Sequence, residues 1–254
     1  MAATVFYLDS VPEPGAVAVL DGPEGHHAAT VRRIGPGAAV TLSDGRGVSG
    51  RARVLTAGRG RLELIVDDRE TEQPPCPRVT LVQALPKADR AEAAVELATE
   101  AGVDAILPWR AARCVARWDG KADKAVAKWR ATARAAARQS RRAWIPEVAE
   151  LHDTAAVLAR IAAAGGPVAA LHEAADRPLA GLPFAGASDV LLIVGPEGGL
   201  DDGELARLVA AGAQPVRLGP TVLRTSTAAA VALGALGVLT DRWSGRPPPD
   251  RSPQ

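Results

Sequence analysis

The strongest candidate for a ligand site is a glycine-rich turn that follows an apolar segment. Residues 190–194 read Val-Leu-Leu-Ile-Val and lead directly into Gly-Pro-Glu-Gly-Gly at residues 195–199, here named the Gly-Pro-Glu-Gly-Gly turn. A continuous apolar run that ends in such a turn is typical of a buried strand in an α/β sheet. Ligands of these sheets lie at the carboxyl ends of the strands, and glycine leaves the backbone groups of a turn accessible.

Two further turns share this setting and indicate what kind of ligand the site takes. His172 and Glu173 follow the apolar run 168–171, where they are either ligand contacts or a polar pair satisfied within a loop. Residues 218–220 read Leu-Gly-Pro and lead into Leu-Arg-Thr-Ser-Thr at 223–227. The carboxylate of Glu197 would repel a phosphate, so a neutral or cationic cofactor fits better. An uncharged adenosine that carries a sulfonium is one such molecule.

A strongly basic segment lies between Arg110 and Arg142. It holds eleven basic and two acidic residues, a net charge of +9, so the rest of the chain carries −8 of the total of +1. Four of its arginines recur at intervals of about four and predict a stripe along one helix. A solvated helix face is the simpler explanation, but the sign bias favours a polyanionic partner. Gln139, beside the stripe, can both donate and accept hydrogen bonds.

The surrounding pattern predicts two domains of different class. Short alternating runs separated by Gly and Asp predict a small β domain over residues 1–72. The Pro-rich residues 73–78 form a linker, and 79–243 alternate strand and helix, which predicts an α/β domain with a mainly parallel sheet. A helix is expected over 123–142, and the polar, Pro-rich tail 244–254 is expected to be disordered.

Several classes of protein are excluded at this stage. The longest apolar run, 227–239, is too short to span a bilayer, and the N-terminus lacks the basic region of a signal peptide. The two cysteines and four histidines have no metal-ligand spacing. We therefore expect a cytoplasmic protein without a metal or a membrane segment. Gly45, Gly47 and Gly50 match a dinucleotide-binding fingerprint, but the next segment predicts a strand, so a hairpin turn is expected there.

The ordered set of motifs resembles a known family. The motifs are Leu-Pro-Lys-Ala-Asp-Arg at 85–90, Glu-Ala-Gly-Val at 100–103, Arg-Cys-Val at 113–115, Trp129, Gln-Ser-x-Arg at 139–142, the Gly-Pro-Glu-Gly-Gly turn, and Leu-Gly-Pro-x-x-Leu-Arg-Thr at 218–225. Together they are similar to the RsmE family of 16S ribosomal RNA uracil-N3 methyltransferases, in the SPOUT superfamily. The resemblance covers nearly the whole chain. It implies an N-terminal PUA-like RNA-binding β-barrel and a C-terminal SPOUT α/β domain with a deep trefoil knot.

The resemblance also implies an activity, a cofactor and site residues. The implied activity is methylation of N3 of a specific uridine in 16S ribosomal RNA, free or in the assembled small subunit, by a homodimer. S-adenosyl-L-methionine would lie among three turns made by Leu171, His172, Glu173, Gly195, Pro196, Glu197, Gly198, Gly199, Leu218, Gly219, Leu223, Arg224, Thr225 and Ser226. The residues implied near the base are Arg113, Gln139 and Arg142. Those expected to contact the RNA are Arg32, Arg33, Lys87, Arg130, Arg134 and Arg138.

Three departures from the family pattern and two rival interpretations stay open. Ser226, Ala112 and Ala135 stand where family members commonly carry an acid. The first departure weakens any mechanism that needs a carboxylate at the last turn, and no general base is assigned. The rivals are a non-catalytic RNA-binding protein with a degenerate SPOUT domain, and a nucleotide-dependent α/β enzyme that acts on a small metabolite.

Overall fold

The computed structural model describes residues 4–243, so the predicted disordered tail lies outside the described residues. The contacts divide these residues into two units. The first unit comprises residues 4–74 and 137–145, and the second comprises 75–136 and 146–243. Each unit is described by itself.

The first unit is built on a six-stranded sheet. Its strands are β1 (Val5–Tyr7), β2 (Val17–Leu20), β3 (Ala39–Ser43), β4 (Val48–Gly58), β5 (Arg61–Val66) and β6 (Glu70–Thr71). The order is β1-β3-β4-β5-β2, with β6 paired to β4; β1 runs parallel to β3, and the other pairs are antiparallel. Alternation along β5 buries Leu62, Leu64 and Val66 on one face, as the sequence pattern predicts for a half-buried strand.

A short helical segment joins β2 to β3, where the sequence predicts a helix around the paired histidines. Helix α1 (Gly22–His26) begins with a proline in its first turn and continues into a π-helical turn, His27–Val31. Residues 44–47 connect β3 to β4, and Gly45 and Gly47 have φ angles of 69° and 99°. These angles suit glycine in a hairpin turn, which confirms the turn and excludes the dinucleotide fingerprint.

Residues 137–145 pack against this turn, although the sequence pattern places them in the second domain. The Gly47 N–H donates to the Ala143 carbonyl at 3.0 Å, and the Ile145 N–H donates to the Gly45 carbonyl at 2.9 Å. A Cβ on Gly47 would lie only 2.4 Å from the ring of Trp144. The glycine therefore permits the close approach of this segment.

The second unit contains a six-stranded sheet in which all strands are parallel. The strands are β7 (Arg78–Ala84), β8 (Ala105–Trp109), β9 (Glu147–Val148), β10 (Val168–Leu171), β11 (Asp189–Val194) and β12 (Gln214–Val216), in the order β12-β10-β11-β7-β8-β9. The helices are α2 (Ala91–Glu100), α3 (Ala122–Gln139), α4 (Thr154–Ala162), α5 (Asp202–Ala210) and α6 (Thr225–Leu239). The predicted parallel α/β sheet is confirmed.

Helix α3 ends at Gln139, three residues before the predicted end at Arg142. Arg141 has a φ of 57°, in the left-handed region. The Arg142 N–H donates to the Ala137 carbonyl at 2.9 Å, and the Arg141 N–H donates to the Arg138 carbonyl at 3.2 Å. This pair of bonds is a Schellman motif, which usually has glycine at the left-handed position. The sequence has no glycine there, so the end of the helix was predicted too late.

Candidate active site

Three consecutive turns lie at one edge of the parallel sheet. Residues 172–173 follow β10, the Gly-Pro-Glu-Gly-Gly turn follows β11, and residues 217–224 follow β12. These strands are neighbours in the order β12-β10-β11, so their carboxyl ends share one edge. The His172 N–H donates to the Val216 carbonyl at 3.0 Å and joins the first turn to the last strand. The structure thus brings together the three segments predicted to hold the cofactor.

The Gly-Pro-Glu-Gly-Gly turn is held by contacts on both sides. Gly199 has a φ of 70°, and its N–H donates to the Pro196 carbonyl at 2.9 Å. A Cβ on Gly195 would lie 3.1 Å from Cγ of Leu200. The Glu197 carboxylate accepts the Lys87 N–H at 3.0 Å, which joins this turn to the one after β7. Glu197 therefore has a structural partner as well as the charge that disfavours a phosphate ligand.

The last turn leads into the N-terminus of α6. Arg224 is exposed and occupies the N-cap position with extended backbone, and its carbonyl accepts the N–H groups of Thr227 and Ala228 at 2.9 Å each. Thr225 and Ser226 are buried in the first turn of the helix. Ser226, which replaces the usual family acid, thus occupies a position where an ionised side chain would lose its hydration.

Arg113 lies at the apex of a tight turn in the second unit. The Cys114 N–H donates to the Ala111 carbonyl at 3.2 Å, which closes the turn and leaves the Arg113 side chain exposed. Nη1 of Arg113 donates to the Gly198 carbonyl at 3.2 Å. The first of the three predicted base-contacting residues therefore touches the Gly-Pro-Glu-Gly-Gly turn.

Glu204 is a buried acid beside this turn, and no role was predicted for it from the sequence. Its side chain is fully buried, and Oε1 accepts the Ala112 N–H at 3.1 Å and the Thr154 hydroxyl at 2.9 Å. In sequence, Asp201 and Glu204 have the spacing of a helix N-cap and its N3 acid, and Asp201 does cap α5 by accepting the Glu204 N–H at 2.8 Å. Because the local capping pattern already accounts for an acid at position 204, the sequence did not predict the tertiary contacts of the Glu204 carboxylate.

Cys114 next to Arg113 is buried, and burial raises the pKa of its thiol. Backbone hydrogen bonds from Ala111 and Leu85 oppose this rise, while the negative charges of Glu204 and Glu197 add to it. A thiol whose thiolate is disfavoured is a poor nucleophile. Cys114 is therefore a packing residue of the Arg113 turn.

The other two predicted base-contacting residues belong to the first unit. Gln139 is exposed at the end of α3, and Arg142 is half-buried. The Arg142 carbonyl accepts the Tyr7 hydroxyl at 2.7 Å, which fixes the backbone that carries this arginine. Arg113 lies in the second unit, so the three residues do not belong to one unit.

Predicted RNA-contacting residues of the first unit gather around His27. Arg138 forms a half-buried ion pair with Glu24 at 3.1 Å, and Nη2 of Arg32 donates to the Thr4 hydroxyl at 3.1 Å. The pKa of His27 is lowered by burial first and then by the positive charge of Arg138, with a further contribution from Arg32. Arg138 and Arg32 therefore both disfavour the charged form of His27.

The remaining predicted RNA contacts are exposed, and some have structural partners. Arg33 has a φ of 54°. Nε of Arg130 donates to the Val148 carbonyl at 2.9 Å, and its Nη2 pairs with Glu150 at 2.7 Å. The side chains of Arg134 and Lys87 are exposed. Arg130 and Arg138 of the predicted arginine stripe are therefore partly neutralised by carboxylates.

Across residues 4–243, no cluster of His, Cys, Asp or Glu has the composition and geometry of a metal site. Over the same residues, no helix is both long and apolar enough to cross a membrane.

The parallel sheet with three turns at its edge and the separate β unit each match a domain family of RNA methyltransferases. A family model described as an RNA methyltransferase domain matches residues 72–237. A second, described as an RNA methyltransferase PUA domain, matches residues 20–67.

Two kinds of relatives agree with these matches. The chain is 57% identical over 247 residues to the ribosomal RNA small subunit methyltransferase E of Mycobacterium tuberculosis, covering 96% of this chain and 94% of the relative. The Bacillus subtilis protein of that name is 30% identical over 89% of this chain and 91% of its own length. The chain belongs to the ribosomal RNA small subunit methyltransferase E family, as the sequence resemblance predicted.

Solved structures confirm the predicted fold class at the level of its two domains. The Neisseria gonorrhoeae ribosomal RNA small subunit methyltransferase E, bound to S-adenosylmethionine, superposes with a TM-score of 0.84 at 27% identity, covering 93% of this chain and 98% of that one. A methyltransferase from Legionella pneumophila in complex with the same cofactor superposes with a TM-score of 0.84 at 28% identity, covering 94% and 98%.

Proposed function

We propose that this protein transfers a methyl group from S-adenosylmethionine to N3 of a specific uridine in the 16S ribosomal RNA of the small subunit. One observation carries the proposal: Arg113 donates a hydrogen bond to Gly198, within the turn that lies between two others at the carboxyl edge of the sheet. A cation able to stabilise a charged base is thus held against the proposed cofactor turn. The names of the relatives, and the cofactor in two of the similar structures, support the same activity.

The residues of the three turns fit this cofactor. They present glycine backbone at 195, 198 and 199, with the Glu197 carboxylate nearby. Such a surface accepts an uncharged adenosine edge and tolerates a sulfonium, whereas it disfavours a phosphate. We propose that the fourteen residues named above for the cofactor hold it, with Arg224 ordering the last turn. When bound, S-adenosylmethionine supplies an electrophilic methyl group.

The chemistry of uracil defines what the protein side chains must do. N3 becomes nucleophilic once its proton leaves, and the negative charge then spreads over O2 and O4. The exposed Arg113 guanidinium can donate hydrogen bonds to such an oxygen and stabilise the anion. We propose Gln139 and Arg142 as further base contacts; their support is the family resemblance. The base must leave its stack to be reached, as other enzymes that modify bases require.

The basic surface supplies the RNA affinity in this proposal. Arg32, Arg33 and Arg138 in the first unit, and Lys87, Arg130 and Arg134 in the second, would contact phosphates. Arginine and lysine contacts of this type release counterions, so affinity for RNA should fall steeply as salt is raised. An affinity that does not change with salt would favour the small-metabolite enzyme instead.

We also propose that the protein acts as a homodimer with a trefoil knot in the second unit. Helix α6 leaves Val231 and Val238 exposed, 47% and 78% respectively, and they are seven residues apart on one face. Val222, 79% exposed, precedes this helix. Apolar side chains this exposed favour a protein partner, and we propose a second copy of the chain. The proposed substrate places the protein in the cytoplasm.

The proposed function is tested in two steps. Calorimetry with S-adenosylmethionine should show binding to the purified protein; its absence would favour a non-catalytic RNA-binding protein. Methyl transfer is then measured on naked 16S RNA and on small subunits that lack the modification. The proposal expects N3-methyluridine at one position, and the better substrate identifies the assembly state on which the protein acts.

A further inference from the structure

We infer that Glu204 is a positioning residue that holds Arg113 against the Gly-Pro-Glu-Gly-Gly turn. The inference rests on the proposed function, because it assumes that Arg113 acts on the base. It concerns a side chain that lies outside the predicted site and that contacts the neighbour of Arg113 in sequence.

Two neutral hydrogen-bond donors contact the Glu204 carboxylate. The Ala112 N–H lies 3.1 Å from Oε1 and 3.3 Å from Oε2, so it is shared between both oxygens. The Thr154 hydroxyl donates to Oε1 at 2.9 Å. Trp109 Nε1, which can only donate, gives its hydrogen to the Thr154 hydroxyl at 3.2 Å. The single Thr154 hydrogen is therefore directed at Glu204, and both oxygens act as acceptors.

The Glu204 side chain is buried. Glu204 is 0% exposed, and among residues 4–243 no arginine or lysine forms an ion pair with it. A buried carboxylate that relies on neutral donors is stabilised only while each donor keeps its place. The carboxylate and the Ala112 N–H therefore fix each other, and displacement of either leaves a buried group unsatisfied.

Ala112, which donates to Glu204, lies in the same turn as Arg113. Ala112 and Arg113 are the two central residues of the turn that the Cys114 N–H closes onto the Ala111 carbonyl. The Ala112 N–H has no role in closing that turn, so Glu204 supplies its acceptor. With the apex fixed, Arg113 reaches the Gly198 carbonyl at 3.2 Å. Glu204 thus connects the first turn of α5 to the arginine at the cofactor turn.

Glu204→Gln is the test variant, because it keeps the shape of the side chain. In either orientation its amide NH2 replaces a carboxylate oxygen that lies within 3.3 Å of the Ala112 nitrogen, so a donor faces the Ala112 N–H. We expect kcat for RNA methylation to fall about 10- to 100-fold, since small displacements of a positioned group have effects of this size. We expect the Kd for S-adenosylmethionine to change less than about threefold.

A double-mutant cycle separates positioning from general destabilisation. If Glu204 acts through Arg113, Glu204→Gln should lower kcat less than about twofold in an Arg113→Ala background. Asp104→Asn is the matched control: it alters another carboxylate that accepts a backbone N–H, that of Val79 at 2.8 Å at the start of β7, and lowers stability, yet should keep kcat. Hydrogen exchange of the Ala112 amide should accelerate in Glu204→Gln and remain slow in Asp104→Asn.

Each outcome supports or contradicts one claim. Should Glu204→Gln not fold, Glu204→Asp keeps the charge but withdraws it by one methylene, and the same fall in kcat is expected. Additive effects of Glu204→Gln and Arg113→Ala, or an unchanged kcat in Glu204→Gln, would overturn the positioning role. Absence of methyl transfer by the wild-type protein would instead contradict the proposed function.

Discussion

The Arg113 side chain donates a hydrogen bond to the Gly198 backbone and also packs closely against it. Nη1 of Arg113 donates to the Gly198 carbonyl at 3.2 Å, and a Cβ on Gly198 would lie 3.3 Å from Cβ of Arg113. Glycine is therefore needed at position 199 for its backbone conformation, and at position 198 for the close approach of Arg113. A substitution at Gly198 should affect the cofactor turn and Arg113 together.

Gly198→Val tests this relationship. A branched side chain cannot fit beside Arg113 without displacing the turn, and overpacking of this kind costs about 1–3 kcal/mol. We expect the affinity for S-adenosylmethionine to fall roughly 5- to 150-fold, the range that corresponds to this energy. The measurement is calorimetric titration with the cofactor. Gly165→Ala is the control, because a Cβ at Gly165 meets nothing within 4 Å; an unchanged affinity in Gly198→Val would refute the contact.

Arg142→Ala should separate RNA recognition from cofactor binding. The proposed contact of its guanidinium with RNA is worth about 1–3 kcal/mol, so transfer to RNA should fall about tenfold or more. Cofactor affinity should stay within about twofold, since Arg142 lies outside the unit that carries the three turns. Single-turnover methylation and calorimetry provide the two readouts, with the exposed Arg160→Ala as a charge-matched control. Equal losses in both readouts would contradict the assignment.

Arg141→Gly should stabilise the protein while it weakens RNA binding. Arg141 has a φ of 57° at the end of α3, a conformation that costs a non-glycine residue about 1–2 kcal/mol. Glycine removes this cost, but its larger conformational entropy in the unfolded chain offsets part of the gain in stability. We expect a gain of roughly 0.5–1 kcal/mol in the free energy of unfolding by urea titration. Arg141→Ala should lose the same RNA affinity without the gain, and equal stability of the two variants would contradict the prediction.

His27 predicts how stability depends on pH. Its pKa in the folded protein is lowered by burial and by the charges of Arg138, Arg32 and His26, against an opposing effect of Glu24. Between the lowered pKa and the ordinary histidine pKa of 6.5, the unfolded chain binds more protons than the folded one. Stability is therefore retained above pH 6.5 and lost as the pH falls below it. Urea midpoints from pH 8 to 5 should show this loss in the wild type and a smaller one in His27→Gln; identical profiles would argue against it.

The sequence predicted most elements of the fold, and the reason is periodicity. Strand β5 fits the predicted alternation because Leu62 and Leu64 alternate with Arg61 and Glu63. Most strands of the parallel sheet were found because their apolar runs end at turns. The short strands β1, β6 and β9 were missed, because two or three residues carry too little pattern.

Tertiary relationships account for what the sequence did not predict. The end of α3 depends on a left-handed Arg141, which sequence rules assign to glycine. Residues 137–145 pack against Gly45 and Gly47, a pairing that spans about a hundred positions along the chain. Glu204 resembled an ordinary N3 acid of a helix, and only its burial distinguishes it. The positions of the three turns proposed for the cofactor could be predicted because each turn follows its own strand.

The most direct test of the central claim is the mapping of modified uridines in 16S RNA. Unmodified small-subunit RNA, free and assembled, is incubated with the protein and S-adenosylmethionine, digested, and analysed by mass spectrometry of its nucleosides and fragments. We expect N3-methyluridine at a single position, formed much more slowly when Arg113→Ala replaces the wild type. Cofactor binding without any methylated uridine, or methylation at a different atom of the base, would contradict it.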